Sequence, residues 1–324
     1  MRAENYFING VINKYMSHLK KSKEDRLKEL GGVLSKGQSA YLTNKARGGS
    51  SGRKGTRYED HFSGYTLARI LANEGKAAEP ENWPNIYEQV FSFVDDLVVE
   101  SEEGATYYQL KNVAALTWQG SDHPLELDFE LQKKVSDAFG EKETKLVLVT
   151  SDENVAKKMW EGMPSAIASY TAIEHFPYYV SLNRLAIEFE PLRAVVSSLA
   201  RTGSKVTDDE IGYTLSAFVS SFMHGNGSSS VAELLKFAQG ISPALVRLFP
   251  HQIADLKLKD EFIKVLAEIP NFAYCYKYGF FDWSCSLDSG VLPYNCLDKQ
   301  FEAFQNRIIN ARPTSFEDLE DLLL

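Results

Sequence analysis

Cysteine is scarce in this chain and the histidines are scattered. The three cysteines (Cys275, Cys285, Cys296) are odd in number and widely spaced, with no Cys-x-x-Cys, and the six histidines form no His-x-x-His or His-Glu pair. These absences exclude a disulfide framework and a zinc centre, and they point to structural thiols in a reducing cytoplasm. Long apolar runs are missing as well. No stretch approaches the ~20 residues a bilayer-spanning helix needs, and Met1-Arg-Ala-Glu-Asn5 opens no secretory apolar core, so a cytoplasmic location and no membrane partner are expected. Gly225-Asn-Gly-Ser-Ser-Ser230 looks like a fragment of a phosphate loop but lacks its lysine and its preceding strand. Ser229 or Ser230 reads instead as the cap of a helix that starts at Val231. Basic charge is also in deficit. The net charge of −9 argues against attraction of the whole molecule to nucleic acid, so any such attraction has to be local.

What is present is a folded chain: 324 residues, 44% of them hydrophobic, are enough for two domains with separate cores. Residues 4 to 30 carry Tyr6, Phe7, Val11, Ile12, Tyr15, Met16 and Leu19 at helical spacing before Gly31-Gly32 stops the pattern. This stretch reads as an arm for packing or for joining copies of the chain. From Lys36 to Arg57 there are six basic residues (Lys36, Lys45, Arg47, Arg53, Lys54, Arg57) and no acid, within the glycine- and serine-rich run Lys45-Ala-Arg-Gly-Gly-Ser-Ser-Gly-Arg-Lys-Gly55. A basic, flexible loop of this kind can wrap DNA phosphates and become ordered on them. Lys45, Arg47, Arg53, Lys54 and Arg57 are therefore the candidate nucleic-acid contacts.

The chemistry concentrates in residues 58 to 111. Tyr58 to Leu71 repeats Phe62, Tyr65, Ala68 and Leu71 or Ile70 at helical spacing, which predicts an amphipathic helix with Glu59 near its buried stripe and with Asp60 and His61 toward solvent. Phe91 to Glu100 is rich in aromatic and β-branched residues, Ser101-Glu-Glu-Gly104 is a turn signal, and Ala105 to Asn112 returns as a second strand. Side chains alternate along a strand, so Gln109 and Lys111 share one face. Asp96, Val98 and Glu100 share a face opposite to that of Asp95, Leu97 and Val99. A charged group in an apolar strand costs several kcal/mol, roughly, unless it is paired or metal-bound. Oxygen ligands with a lysine two residues beyond one of them suit a hard divalent cation that cleaves phosphodiesters.

Glutamate on the helix, aspartate at the head of an apolar strand and Gln-x-Lys after a hairpin resemble the PD-(D/E)xK restriction-endonuclease-like superfamily, in its Gln variant. The likeness is closest to the double-stranded-DNA endonuclease domain of CBASS effectors and of the nuclease subunit of Lamassu-type anti-phage systems. It is carried by Gly55-Thr-Arg-Tyr58, Asp95-Asp96, Gln109-Leu-Lys111 and the strand Lys145-Leu-Val-Leu-Val-Thr150, and it covers residues 50 to 155. The resemblance implies a Mg²⁺- or Mn²⁺-dependent endonuclease of double-stranded DNA, the effector of a bacterial defence system. Its site would be Glu59, Asp96, Gln109 and Lys111, with Glu59, Asp96 and Gln109 on the metal. Asp96 is preferred to Asp95 because Leu97-Val-Val99 continues from it, and Asp95 stands as the alternative. The sequence departs from the pattern twice: the superfamily's proline is missing before the acid, where Val94-Asp95 stands, and Gln109 takes the place of an acid.

The expected architecture is α/β, a restriction-endonuclease-like mixed sheet flanked by helices, followed by a mostly α-helical C-terminal domain. Its parts are residues 1–57 (helix and basic loop), 58–155 (nuclease unit) and 156–324 (helical, binding partner subunits or a second copy). Helices are expected at Val155–Trp160, Leu182–Ala200, Asp208–Met223, Val231–Gln239, Lys257–Ala267 and Lys299–Ile309, and another is expected to start at Ser242-Pro243. The aromatic cluster Phe272 to Trp283 reads as core or partner interface ahead of base stacking. The acidic, leucine-rich end Glu317–Leu324 reads as a segment that docks into a partner's groove. A catalytically inert subunit that binds nucleic acid or a partner through Lys36 to Arg57 is the alternative function.

Overall fold

The computed structural model describes residues 18–51, 57–74, 80–120, 123–201, 206–224, 228–254 and 256–323. Most of the arm expected at residues 4–30 therefore lies outside the described residues; its end is helix α1 (Lys23–Leu30), capped by the Ser22 hydroxyl and closed at Gly31. The basic segment is not a loop as far as Ser51. Lys36–Ser51 is helix α2, because Leu42, Tyr41 and Ala46 share an apolar cluster with Leu30, Leu34, Phe91, Phe93, Leu131 and Val135. Burial of that stripe overrides the weak helix propensity of its serines and glycines.

Helix α3 (Arg57–Glu74) is followed by strands β1 (Asn85–Glu88), β2 (Leu97–Glu100) and β3 (Ala105–Lys111). Helix α4 (Leu125–Phe139), strand β4 (Thr144–Thr150), helix α5 (Glu153–Glu161) and strand β5 (Thr171–His175) come next. One six-stranded sheet results, in the order β5-β4-β3-β2-β1-β6, where β6 is the short strand Ser228–Ser230. The neighbours β6/β1, β1/β2 and β2/β3 are antiparallel, and β3/β4 and β4/β5 are parallel. Helices α4 and α5 supply the crossovers that parallel neighbours require.

The sheet has a core on each face. Leu97, Leu110, Val147 and Val149 pack toward α3 and the helices that follow β5. Val98, Tyr107, Leu146 and Leu148 pack toward Phe129 of α4 and Val155 and Met159 of α5. Those later helices are α6 (Leu182–Glu188), α7 (Glu190–Ser197), α8 (Asp208–Ser221) and α9 (Val231–Ile241). They close over α3, so every residue from His61 to Ala68 is buried. A helix covered all round in this way is a central element, not an amphipathic one with a wet face. His61, expected in solvent, is 6% exposed.

The boundary expected at residue 155 is not where the fold divides. Strands β5 and β6 belong to the same sheet as the hairpin, and one apolar cluster runs from Tyr58 to Phe249. A second unit follows the short helix α10 (Pro250–Ile253) and comprises helix α11 (Asp260–Ala267), strands β7 (Phe272–Lys277), β8 (Phe280–Cys285) and β9 (Asp288–Asn295), and helices α12 (Lys299–Ala311) and α13 (Phe316–Leu323). The region after residue 155 is thus largely helical but also contains a three-stranded antiparallel sheet. The aromatic cluster forms its first hairpin, whose Phe281 packs in the core with Phe262 of α11 and Phe301 and Phe304 of α12. The acidic end docks within the chain: α13 sets Leu319 and Leu323 into that same core. Ser242 ends α9 instead of starting a helix, and Ser230 caps α9 through a reciprocal bond pair with Glu233. Among the described residues no helix is long and apolar enough to cross a membrane.

Candidate active site

Register places the hairpin residues. Leu97 faces Tyr108 across the β2–β3 ladder, so Asp96, one residue before β2, comes opposite Gln109. The main chain there is held to the end of β1 by Gln89 N–H to Asp96 O (3.1 Å) and Val90 N–H to Asp95 O (2.8 Å). Asp96 Oδ2 accepts the Leu110 N–H at 2.6 Å and the Gln109 amide as well. Lys111 closes β3 on the same face and lines a cleft of about 890 Å³ together with Tyr41, Lys45, Thr117, His123 and Asp128. Tyr41 and His123 stack in its wall with ring centroids 3.9 Å apart. Among the described residues Lys111 makes no ion pair, although its charge acts on Asp95.

This face of the sheet is covered by α4 and α2, whereas α3 covers the other, and that decides which groups meet. Asp128 of α4, buried, accepts the Tyr41 hydroxyl at 2.7 Å and the Lys45 ammonium at 2.8 Å. Lys45 also donates to the main-chain oxygen of Phe93 and to Gln109 Oε1 (3.3 Å), and it lies 3.7 Å from Asp95 Oδ1. Burial pushes the Asp95 carboxyl up to about 7; Lys45 and Lys111 pull it down, while Asp96 and Asp128 push it further up. Burial, then the bond to Asp128, raises the Tyr41 phenol. Buried acids held by one ammonium depend on it: removing such a partner costs about 3–5 kcal/mol.

Glu59 sits on the far layer. Its Oε2 accepts from Gln89 Nε2 at 2.9 Å, and through Gln89 it is linked to Asp96. The structure therefore joins Asp96, Gln109 and Lys111 on one face and reaches Glu59 by a relay. Among the described residues no three His, Cys, Asp or Glu side chains converge as a metal-holding group. The oxygens that suit a hard cation are Asp96 Oδ1, which no described donor occupies, and Glu59. Glu100, expected on the Asp96 face, is buried at the other end of β2 and accepts the Tyr87 hydroxyl at 2.7 Å.

Of the basic residues, Lys45 points inward, its side chain 17% exposed, so it serves the acids and is not available to a phosphate. Arg57 is exposed, and Arg53 and Lys54 lie outside the described residues. Asp128 is the residue that sequence reading missed. Its signal was legible: Leu125, Asp128, Gln132 and Val135 fall on one helical stripe, and all four are buried, so an acid and an amide stand at core positions. Comparison of the chain with family models, curated proteins and solved structures finds no match.

Proposed function

We propose that this chain is a metal-dependent endonuclease that hydrolyses the phosphodiester bonds of double-stranded DNA, and that it acts as the effector of a bacterial anti-phage system. One observation carries the reading: Asp96 and Gln109 adjoin across the hairpin, and Lys111, without an ion pair among the described residues, follows on the same face at the edge of a large cleft. The order of helix, hairpin, helix and parallel strand along the chain supports the restriction-endonuclease-like fold that the resemblance implies. Asp96, with Glu59 behind it, would hold Mg²⁺ or Mn²⁺, which when bound supplies Lewis-acid stabilisation of the phosphate. Lys111 orients the attacking water from the cleft and stabilises the negative charge it develops. The region after residue 155 would engage partner subunits or a second copy.

The competing reading, an inert nucleic-acid- or partner-binding subunit, is favoured by Lys45, which already neutralises the acid cluster. Plasmid cleavage by the purified chain, with Mg²⁺, Mn²⁺ or EDTA, separates the two. Metal-dependent nicking, reduced at least ~100-fold in Lys111→Ala and in Asp96→Asn with melting temperatures unchanged, is expected. Equal residual activity in wild type and both variants would leave the inert reading standing.

A further inference from the structure

Four oxygens from three elements converge on one ammonium. Lys45 Nζ donates to Phe93 O, to Asp128 Oδ2 at 2.8 Å and to Gln109 Oε1 at 3.3 Å, with Asp95 Oδ1 3.7 Å away. An ammonium has three protons and no lone pair, so the three close acceptors exhaust it. The consequence falls on Gln109. Its Oε1 faces Lys45 and its Nε2 donates to Asp96 Oδ2. Turning the amide over would aim its N–H groups at an ammonium and its oxygen at a carboxylate, both repulsive. Charge on each side therefore fixes the orientation. In that orientation Gln109 presents a donor to Asp96, and a cation at Asp96 needs an oxygen there.

We propose that Lys45 is a latch: it acts as the resident cation of this cluster, holds the Gln109 amide oxygen away from Asp96, and is withdrawn when a divalent ion binds. The proposal rests on the reading of Asp96 as a metal ligand. It makes Lys45 a positioning residue that opposes metal binding, and it gives the basic helix α2 a part in switching the site on.

The test is Mn²⁺ titration of the full chain followed by electron paramagnetic resonance. Lys45→Met keeps the length of the side chain and removes its donors. Lys45→Met with Asp128→Asn removes the buried charge pair together, in case the single variant does not fold. Both are expected to bind Mn²⁺ at least tenfold more tightly than wild type, a direction that loss of structure would not produce. Adding Asp96→Asn to either should abolish the gain. Affinity equal to or weaker than that of wild type in the folded variants would overturn the latch. So would a gain that survives Asp96→Asn, since the ion would then be held by acids other than Asp96. Failure of the metal reading itself looks different: Asp96→Asn in the wild-type background would leave Mn²⁺ affinity unchanged.

Discussion

Glu59 on α3 and Gln89, which follows β1, meet at 2.9 Å, and this bond couples the two layers of the candidate site. Gln89 has φ of +51°, a left-handed conformation that asparagine tolerates well among L-residues. Its own N–H is bonded to Asp96 O, so the backbone of Gln89 braces one acid while its side chain braces the other.

Gln89→Asn separates these roles, because it keeps the backbone and shortens the reach to Glu59. Groups that orient metal ligands typically contribute about 10- to 100-fold in affinity or activity. A loss of about tenfold in Mn²⁺ affinity with an unchanged melting temperature is expected. Unchanged affinity would remove Glu59 from the site.

The hairpin was legible in the sequence because its signals are local: alternation, a Ser-Glu-Glu-Gly turn and acids in an apolar run. The expected first strand was too long by six residues, since Phe91 and Phe93 turn away to meet α1 and α2. What stayed hidden is long-range. Nothing near Lys45 announces that its partners lie 83 residues on at Asp128 and 64 on at Gln109. Strand β6 is Ser-Ser-Ser, with no apolar alternation at all, and owes its pairing to β1. Strands β7 and β8 read as an aromatic cluster although β7 alternates: Phe272, Tyr274 and Tyr276 share one face with Phe281 and Trp283, and Ala273, Cys275 and Lys277 take the other.

Glu141 offers a pH test outside the site. Its Oε1 lies 3.1 Å from His18 Nε2 and accepts the Tyr107 hydroxyl. Burial works to raise its pKa, but the bonds from His18, Tyr107 and Ser136 outweigh it and hold the carboxyl below its ordinary value. As pH falls, the unfolded chain takes up this proton first, so the stabilisation is full above the ordinary carboxyl range and fades as pH drops through the lower folded value. Thermal melts of Glu141→Gln should trail wild type most at neutral pH, with the gap closing in acid below about 4.5. A gap that is constant with pH would show that packing, not the carboxylate, is at work.

Thiol chemistry should single out one residue. Cys275 is exposed, while Cys285 and Cys296 are buried, and burial pushes the Cys296 thiol up to about 12. Reaction needs an accessible thiolate. Native alkylation followed by mass spectrometry should label Cys275 alone, and full labelling should require denaturant. Labelling of Cys296 at a comparable rate in the native state would mean that the α12-side core opens readily.

The crossing of α3 and α8 depends on Gly64. A Cβ at this position would lie 2.5 Å from Val219 Cγ2 and 3.2 Å from the Val219 nitrogen. Alanine gains roughly 1 kcal/mol over glycine in a helix interior, but overpacking of a tight core costs about 1–3 kcal/mol. Here the obstacle is a stiff β-branched side chain with backbone directly behind it, so the clash wins. Gly64→Ala should lower the stability by about 1–2 kcal/mol in urea titration. Val219→Ala removes Cγ2 and should recover part of that loss in the double variant, a favourable coupling that sites far apart would not show. If Gly64→Ala instead stabilises the protein, the two helices do not approach this closely, and the placement of Glu59 five residues away would have to be redrawn.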